Sequence, residues 1–527
     1  MQRFIRKFEG HIQGVLSGFD RVLFRGSLPR LNHSDGMRLY LIQNRILFKD
    51  YETHVKAVSQ KIKKAVLDQF QDQNVPVKYV YGRDDKEQIA RAFAAERRIT
   101  EGDVCALTTM EMAPTFQHEK TRMVMRPRPC LTIYQYRLDP EFGWMHARIQ
   151  TWFPFYIHVC MNGREWLSRR MDQEKLRYFR QDNCFPWIED VPRAQHLFQE
   201  QLAMDWNQKL RPFAERLNPL QEEIFRNFAS TYYWTAFQCE WATDVMFRPG
   251  TLARLSPLFL QHAMLGLSSP DVMKFLGRRV NASGEIPATF RGELTMDFKS
   301  RPTGDRVKYR MDGNSLKGYG KASTPIADLF RVEATTQNVE CFKVYRPVES
   351  GSEEDLKWQR MRRGVADLFR RAEVSQKINE RFYDALSTVD DSTRFSEFTR
   401  ALEQPCQYQG RRVRALHLFR EEDHRLLEAV NRGEFMIRGL RNRDLQKLLY
   451  PSVPPDSPLS LKERRRRSAS VSRKLRILRA HGLIQKVPKT HRYQVTSQGR
   501  LAITAILTID RASIAVLNQV AVSNKAA

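Results

Sequence analysis

Residues 463–500 read ERRRRSASVSRKLRILRAHGLIQKVPKTHRYQVTSQGR. Val471, Leu475, Leu478 and Leu483 recur at helical spacing and form one apolar stripe, while Ala469, Arg473 and Arg476 fall on the opposite face. That second face is small and cationic. Small residues let a helix approach a base edge closely, and an arginine fork can bond the O6 and N7 acceptors of guanine or pair with phosphate. Gly482 supplies the left-handed residue that ends a helix. Ile484 to Val487 and Arg492 to Val495 then read as two short strands around the basic tip Pro488-Lys489-Thr490-His491. Upstream, Asp423 to Arg432 and Arg441 to Leu449 read as two further helices, so the expected order is helix, helix, basic helix, hairpin.

The phrases LRILRAHGLIQKV, Leu475 to Val487, and HRYQVTSQGR, His491 to Arg500, resemble the winged-helix domains of bacterial regulators of the MarR type. The resemblance covers about the last fifth of the chain. It implies that the basic helix is a recognition helix and the hairpin a wing. The residues expected to meet nucleic acid are Arg464, Arg465, Arg466, Arg467, Ser472, Arg473, Arg476, Lys489, His491 and Arg492. The competing reading is a solvated charge run, but residues 411–510 hold 23 Lys and Arg against 9 Asp and Glu, about half of the chain's net +27. The whole chain also resembles an uncharacterised group of bacterial proteins that carry a winged-helix or MarR-type label.

At 527 residues the chain exceeds one ordinary core, so several domains are expected. A 42% hydrophobic and 11% aromatic content belongs to a folded protein and not to a disordered basic tail. Net charge of +27 calls for a polyanionic partner, nucleic acid before an anionic membrane surface. No apolar run approaches the roughly 20 residues of a spanning helix. Seven scattered cysteines with no Cys-x-x-Cys pair disfavour a zinc ribbon or disulfide framework and suggest a reducing cytoplasm. The basic N-terminus MQRFIRKFEGHIQGVLSGF is expected to be an opening helix and not a transit peptide, given Glu9 and the absence of a serine-rich region.

The expected fold class is α+β multidomain. Residues 1–195 read as an α/β lobe: a helical stripe at Val55, Val58, Ile62, Val66 and Phe70, a strand Val77 to Tyr81, a helix Asp85 to Arg98, a strand Val104 to Thr108, and an antiparallel hairpin of Leu131 to Tyr136 with Trp144 to Phe153. Residues 196–284 read as a helical region, 285–347 as a small β-rich region, 356–410 as a helical connector from Trp358 to Ser387, 411–510 as the winged helix and 511–527 as a tail. Val348 to Leu356 is the expected linker, and Pro451 to Ser460 a proline-rich loop.

Phosphate-loop, dinucleotide-binding, His-Glu-x-x-His and Gly-x-Ser-x-Gly motifs are all absent, which disfavours a nucleotide-driven motor and a simple zinc hydrolase. Three constellations remain. The strand from Trp144 places His146, Arg148, Gln150 and Trp152 on one face, suited to holding phosphate and stacking a base, with Asn162, Arg164 and Trp166 nearby; the alternative is the outward face of a half-buried sheet. On an expected helix Thr235 to Phe247, Glu240 and Asp244 lie one turn apart and could share Mg²⁺ or Mn²⁺, or Asp244 could simply pair with Arg248. In the third, Lys317, Tyr319 and Lys321 share one strand face, with Arg331 and Glu333 on one face of the next. This run resembles a strand pair in some rolling-circle replication initiators. The resemblance implies Tyr319 as nucleophile, a lysine as electrostatic partner and Glu333 as metal or orienting group, although no paired histidines accompany it. Finally, Asp20, Arg21 and Arg25 crowd the apolar run SGFDRVLFRG, where a buried Asp20–Arg pair or a phosphate contact is expected.

The leading expectation is a cytoplasmic nucleic-acid-binding protein, DNA ahead of RNA, with no membrane role and a homodimer allowed. The alternatives are a DNA-nicking enzyme of mobility or replication and an RNA-binding component of a ribonucleoprotein.

Overall fold

The computed structural model describes residues 1–514 except 120–121, 279, 281–289, 302–303, 323–327, 349–354, 390–394, 433–434, 436–438, 452–460 and 488–489. Most of the expected linker and all but the first residue of the proline-rich loop therefore lie outside the described residues. The chain forms two compact bodies. The first comprises His11–Pro249 and Ser323–Asn379; the second comprises Met1–Gly10, Gly250–Ala322 and Glu380–Ala527. The fold class is α+β multidomain, as expected.

In chain order the strands are β1 (Ile12–Ser27), β2 (Val77–Tyr79), β3 (Gly102–Glu119), β4 (Arg122–Asp139), β5 (Gly143–Gln150), β6 (Ile157–Asn162), β7 (Tyr178–Gln181), β8 (Cys184–Ile188) and β9 (Tyr233–Phe247), all in the first body. The strands β10 (Leu294–Arg301), β11 (Gly304–Met311) and β12 (Asn314–Ala322) form an antiparallel meander in the second body, and β13 (Asp328–Thr336) returns to the first.

Eight strands of the first body hydrogen-bond in the order β13-β9-β1-β6-β5-β4-β3-β2. The pairing is antiparallel except between β2 and β3. One face of this sheet is the core. Val22 and Phe24 of β1, Ala147 and Ile149 of β5, and Val159 and Met161 of β6 are buried there with the helix Tyr51–Asp72, whose stripe Val55, Val58, Ile62, Val66 and Phe70 is the one read from the sequence. Burying a side chain of this size contributes about 1.5–3 kcal/mol. Gly18 of β1 is required by close approach, because a Cβ there would lie 2.1 Å from the ring of Phe198.

Three expectations fail. The opening helix is short, Gln2–Lys7, and the residues after it run into the 16-residue strand β1. The expected helix Thr235 to Phe247 is the strand β9. Its sequence, YWTAFQCEWATDVMF, is rich in aromatic and β-branched residues and is buried on both faces toward its end, so carboxylates four apart mimic a helical turn without being on one. Trp358 likewise lies on a strand, Leu356–Arg360, and the helix of that region begins only at Leu368.

The last part of the second body runs helix Glu421–Val430, short strand Leu440–Arg441, helix Asn442–Leu449, helix Leu461–Ala480, strands Ile484–Lys486 and Arg492–Val495, and helix Ser497–Arg511. The three strands form one antiparallel sheet in which Arg492–Val495 is central. Val471, Leu475, Leu478 and Leu483 are all buried, with Leu426, Leu427, Ile503 and Ile506. Gly482 is left-handed at φ 70°. Among the described residues no helix is long and apolar enough to cross a membrane.

Candidate nucleic-acid interface and metal centre

Phe19 pairs with Trp241 and Arg21 with Glu240 across β1 and β9, which leaves Asp20 inserted between two successive pairs. Such a bulge breaks the two-residue alternation of a strand. Phe19 faces the core before it and Val22 and Phe24 after it, so Asp20 and Arg21 are both delivered to the opposite side. Glu240 and Asp244 alternate onto that same side of β9. Glu333 pairs with Ala242 and Arg331 with Asp244, which puts both β13 side chains there too.

One carboxylate oxygen from each of Asp20, Glu240 and Glu333 lies within 4.8 Å of the others. Mg²⁺ holds oxygen ligands at about 2.0–2.1 Å, so opposed ligands stand about 4.2 Å apart. Side-chain movement of about half an ångström would therefore close the set on one ion. Burial holds the Asp20 carboxyl above its ordinary range; Arg331 opposes the shift and Glu333 adds to it. Carboxylates crowded in this way resist ionising together, and a divalent cation is the partner that relieves them. Asp20, Glu240 and Glu333 fit such an ion by donor type and spacing.

Asp244 is different. Its side chain is fully buried, receives Nε and Nη2 of Arg331 at 2.6 and 2.8 Å, and lies 3.0 Å from Nη1 of Arg164. Two guanidinium groups compensate it, so it is not half of a Glu240–Asp244 metal pair, nor does it form a surface pair with Arg248. Arg331 continues to Oδ1 of Asp20 at 3.3 Å and to the Asn183 carbonyl at 2.6 Å, and the Asn183 amide also donates to Asp20. Arg331 thus ties the buried Asp244 to the carboxylate cluster. The expected partner of Asp20 is an arginine, and it is Arg331 and not Arg21 or Arg25.

Beyond the carboxylates the same side of the sheet carries registered rows. Asn162, Arg21 and Glu240 are cross-strand neighbours; next come Tyr136, His146, Cys160, Leu23 and Gln238; then Tyr134, Arg148, His158, Arg25 and Thr235. Rows on one face stand about 7 Å apart along the strands. The Arg25 guanidinium lies 3.5 Å from the Tyr156 ring centroid, and Arg148 donates to the Tyr134 hydroxyl at 3.0 Å and pairs with Glu111. His146 and His158 are half-buried on this side of the sheet. Enclosure, with Arg148 beside both rings, pushes His146 down to about 4 and His158 well below its ordinary value, so both are neutral near pH 7. Burial raises the Cys160 thiol to about 11, which keeps it protonated.

Other expected contacts on this strand region are structural. Arg164 is fully buried, its Nη2 donating to the Ala242 carbonyl at 3.0 Å, and Trp166 lies in the core. Gln150 is buried and donates to the carbonyls of Pro114 and Trp152 at 3.1 and 3.0 Å. Asn162 accepts the Arg164 and Glu165 amides at the start of the helix Gly163–Gln173. Their charge and polarity serve helix capping and core satisfaction, which strand alternation cannot distinguish from an open face. Of the strand face read from the sequence, His146 and Arg148 remain half-buried on the carboxylate side of the sheet.

Tyr319, Lys317 and Lys321 belong to β12 in the second body. Lys317 Nζ stands 4.8 Å from the Tyr319 ring, and Lys321 is buried. Glu333 belongs to the first body, where it joins Asp20 and Glu240. All three members of that set drew notice in the sequence, but separately. The hidden signal was parity, because only the bulge at Asp20 aligns it with Glu240.

In the second body Arg464, Arg465, Arg466, Ser472 and Arg473 are exposed along the helix Leu461–Ala480, and Arg476 is half-buried. Arg467 is more committed, reaching Glu463 at 3.3 Å and lying 5.1 Å from the Tyr450 ring. Asn442 anchors this helix by donating to the Ser468 carbonyl and Ser472 hydroxyl, each at 2.9 Å. His491 is exposed and Arg492 half-buried, while Lys489 lies outside the described residues. No family model matches the chain, and neither a curated protein nor a solved structure matches it significantly.

Proposed function

We propose that this chain is a multidomain nucleic-acid-binding protein that grips duplex, DNA ahead of RNA, through a C-terminal winged helix of MarR-like type. The observation that carries the reading is the helix Leu461–Ala480, which buries Val471, Leu475 and Leu478 and exposes an arginine row between an anchoring helix and a hairpin. Such a row positions phosphates and offers forks to base edges. The test is duplex binding by the full chain across a salt series, with Arg464, Arg465 and Arg466 changed together to Ala. Affinity should fall steeply with salt, and the variant should bind more weakly with a shallower slope. Unchanged affinity and slope would remove this helix from the interface.

A second reading, metal-dependent phosphodiester chemistry, is favoured by the convergence of Asp20, Glu240 and Glu333. Mg²⁺ or Mn²⁺ bound there would polarise a phosphodiester and stabilise a leaving oxygen. Arg21 and Arg25 would neutralise phosphates, and neutral His146 and His158 can donate or accept a hydrogen bond. The assay is cleavage of single- and double-stranded DNA and RNA with each metal, using Glu240→Gln as control. Cation-dependent cleavage lost in that variant supports the reading; none on any substrate defeats it. Covalent attachment abolished by Tyr319→Phe would instead move the chemistry to the second body.

A further inference from the structure

The helix Thr251–Gln261, the turn of wider pitch His262–Gly266 and the helix Ser497–Arg511, all in the second body, enclose a cavity of about 260 Å³. That is just under the ~300–1,000 Å³ usual for small-molecule sites. Its wall is mainly apolar, with Leu258, Leu265, Val389 and Phe395 prominent. Among the described residues one charged side chain lines it, Arg500, with only 7% of its surface exposed. Nε and Nη1 of this guanidinium have no hydrogen-bond partner, and neither does Oγ1 of Thr504, one helical turn away and also in the wall.

A buried guanidinium that donates to nothing is costly, since buried charges are ordinarily paired. Burial accordingly lowers Arg500 from its ordinary value, with only Asp271 acting against the shift. Asp271 is itself engaged by the Ser268 backbone N–H at 3.0 Å and by the Ser268 hydroxyl. His262, also in the wall, is held down to about 4 by burial, so it adds no positive charge near pH 7. Among the described residues the cavity therefore offers a single positive charge, the neighbouring Thr504 hydroxyl, the neutral His262 ring and a largely apolar wall.

We infer that this cavity binds a small organic monocarboxylate, its carboxylate paired with Arg500 and Thr504 and its apolar body against Leu258, Leu265 and Phe395. One guanidinium matches one negative charge, and each free nitrogen can give a charge-assisted hydrogen bond to a carboxylate oxygen. A phosphate dianion would leave one negative charge without a cationic partner among the described residues of the wall.

The test uses the full-length protein and titration calorimetry with octanoate and benzoate, each against its neutral primary amide. At least one acid should bind, its amide at least tenfold more weakly. Arg500→Met should lose at least tenfold in acid affinity while raising the melting temperature of the unliganded protein, because it removes an unpaired buried charge. Leu265→Trp, at a 40% exposed wall position, should block the acid by filling the cavity without breaking the core. The inference is overturned if neither acid binds, if acid and amide bind equally, or if Arg500→Met keeps its affinity or melts lower than the parent.

Discussion

Two aspartates on neighbouring strands should respond oppositely to the same isosteric change. Asp244→Asn removes the charge that faces Arg331 at 2.6 and 2.8 Å and Arg164 at 3.0 Å, all at most 1% exposed. Breaking a buried pair on one side costs about 3–5 kcal/mol, since the surviving guanidinium groups stay buried. Asp20→Asn keeps an oxygen to accept from Asn183 and Arg331, and Arg331 keeps its bidentate partner. It also removes one of three crowded carboxylates. In chelator, therefore, Asp20→Asn should lie within about 1 kcal/mol of the parent or above it, because lost attraction and lost repulsion nearly cancel. With cation the order should change. The parent should gain about 2.7 kcal/mol at a Mn²⁺ concentration 100 times its dissociation constant, and Asp20→Asn should gain almost nothing. Urea unfolding followed by tryptophan fluorescence reads this cleanly, because all eight tryptophans belong to the first body. Equal loss from both variants in chelator would refute the assignment of Asp20 to a repulsive cluster. A parent indifferent to Mg²⁺ and Mn²⁺ would refute the metal centre.

In duplex binding, Arg473→Ala and Arg476→Ala should each cost about 1–3 kcal/mol and relax sequence preference; equal weakening on every sequence would mark them as phosphate contacts. Burial works against the ionised Asp423, but bonds from Arg414 at 2.6 and 2.7 Å and from the His417 N–H at 2.9 Å outweigh it and hold its carboxyl below the ordinary value. Its stabilising share is therefore present above the ordinary aspartate range, about 3.9, and lost as pH falls through the lower folded value. Asp423→Asn should flatten that acid limb in a circular-dichroism pH series, and an unchanged limb would count against it. Gly18→Ala should cost about 1–3 kcal/mol in the urea midpoint, because the new methyl meets Phe198, and no loss would mean that the ring yields freely.

The second body's last helices were legible because Val471, Leu475, Leu478 and Leu483 repeat at one period and Gly482 closes the run. The stripe from Val55 to Phe70 was legible for the same reason. β9 was not, since Glu240 and Asp244 fit a helical turn and a strand face equally well, and only aromatic and β-branched composition separates the two. The carboxylate centre was the least visible. Its members are far apart in sequence, and a bulge leaves no mark in composition or periodicity. Arg164 misled for a related reason, as a buried arginine with an acidic partner looks like any other basic residue until the partner's strand is placed.

β1 lies in the middle of its sheet, yet the strands that flank it come much later in the chain. A ribosome adding about 5–20 residues per second takes roughly 10–40 s to travel the roughly 200 residues from β1 to β9. Throughout that interval a 16-residue strand has an unmatched edge, of the kind that recruits other chains. The nascent protein is therefore expected to depend on holdase chaperones more than its finished stability would suggest. β13 arrives last of all, and its Glu333 comes with Arg331 two residues before it. The third carboxylate and the guanidinium that ties the cluster to Asp244 thus enter on one strand, in a single docking event.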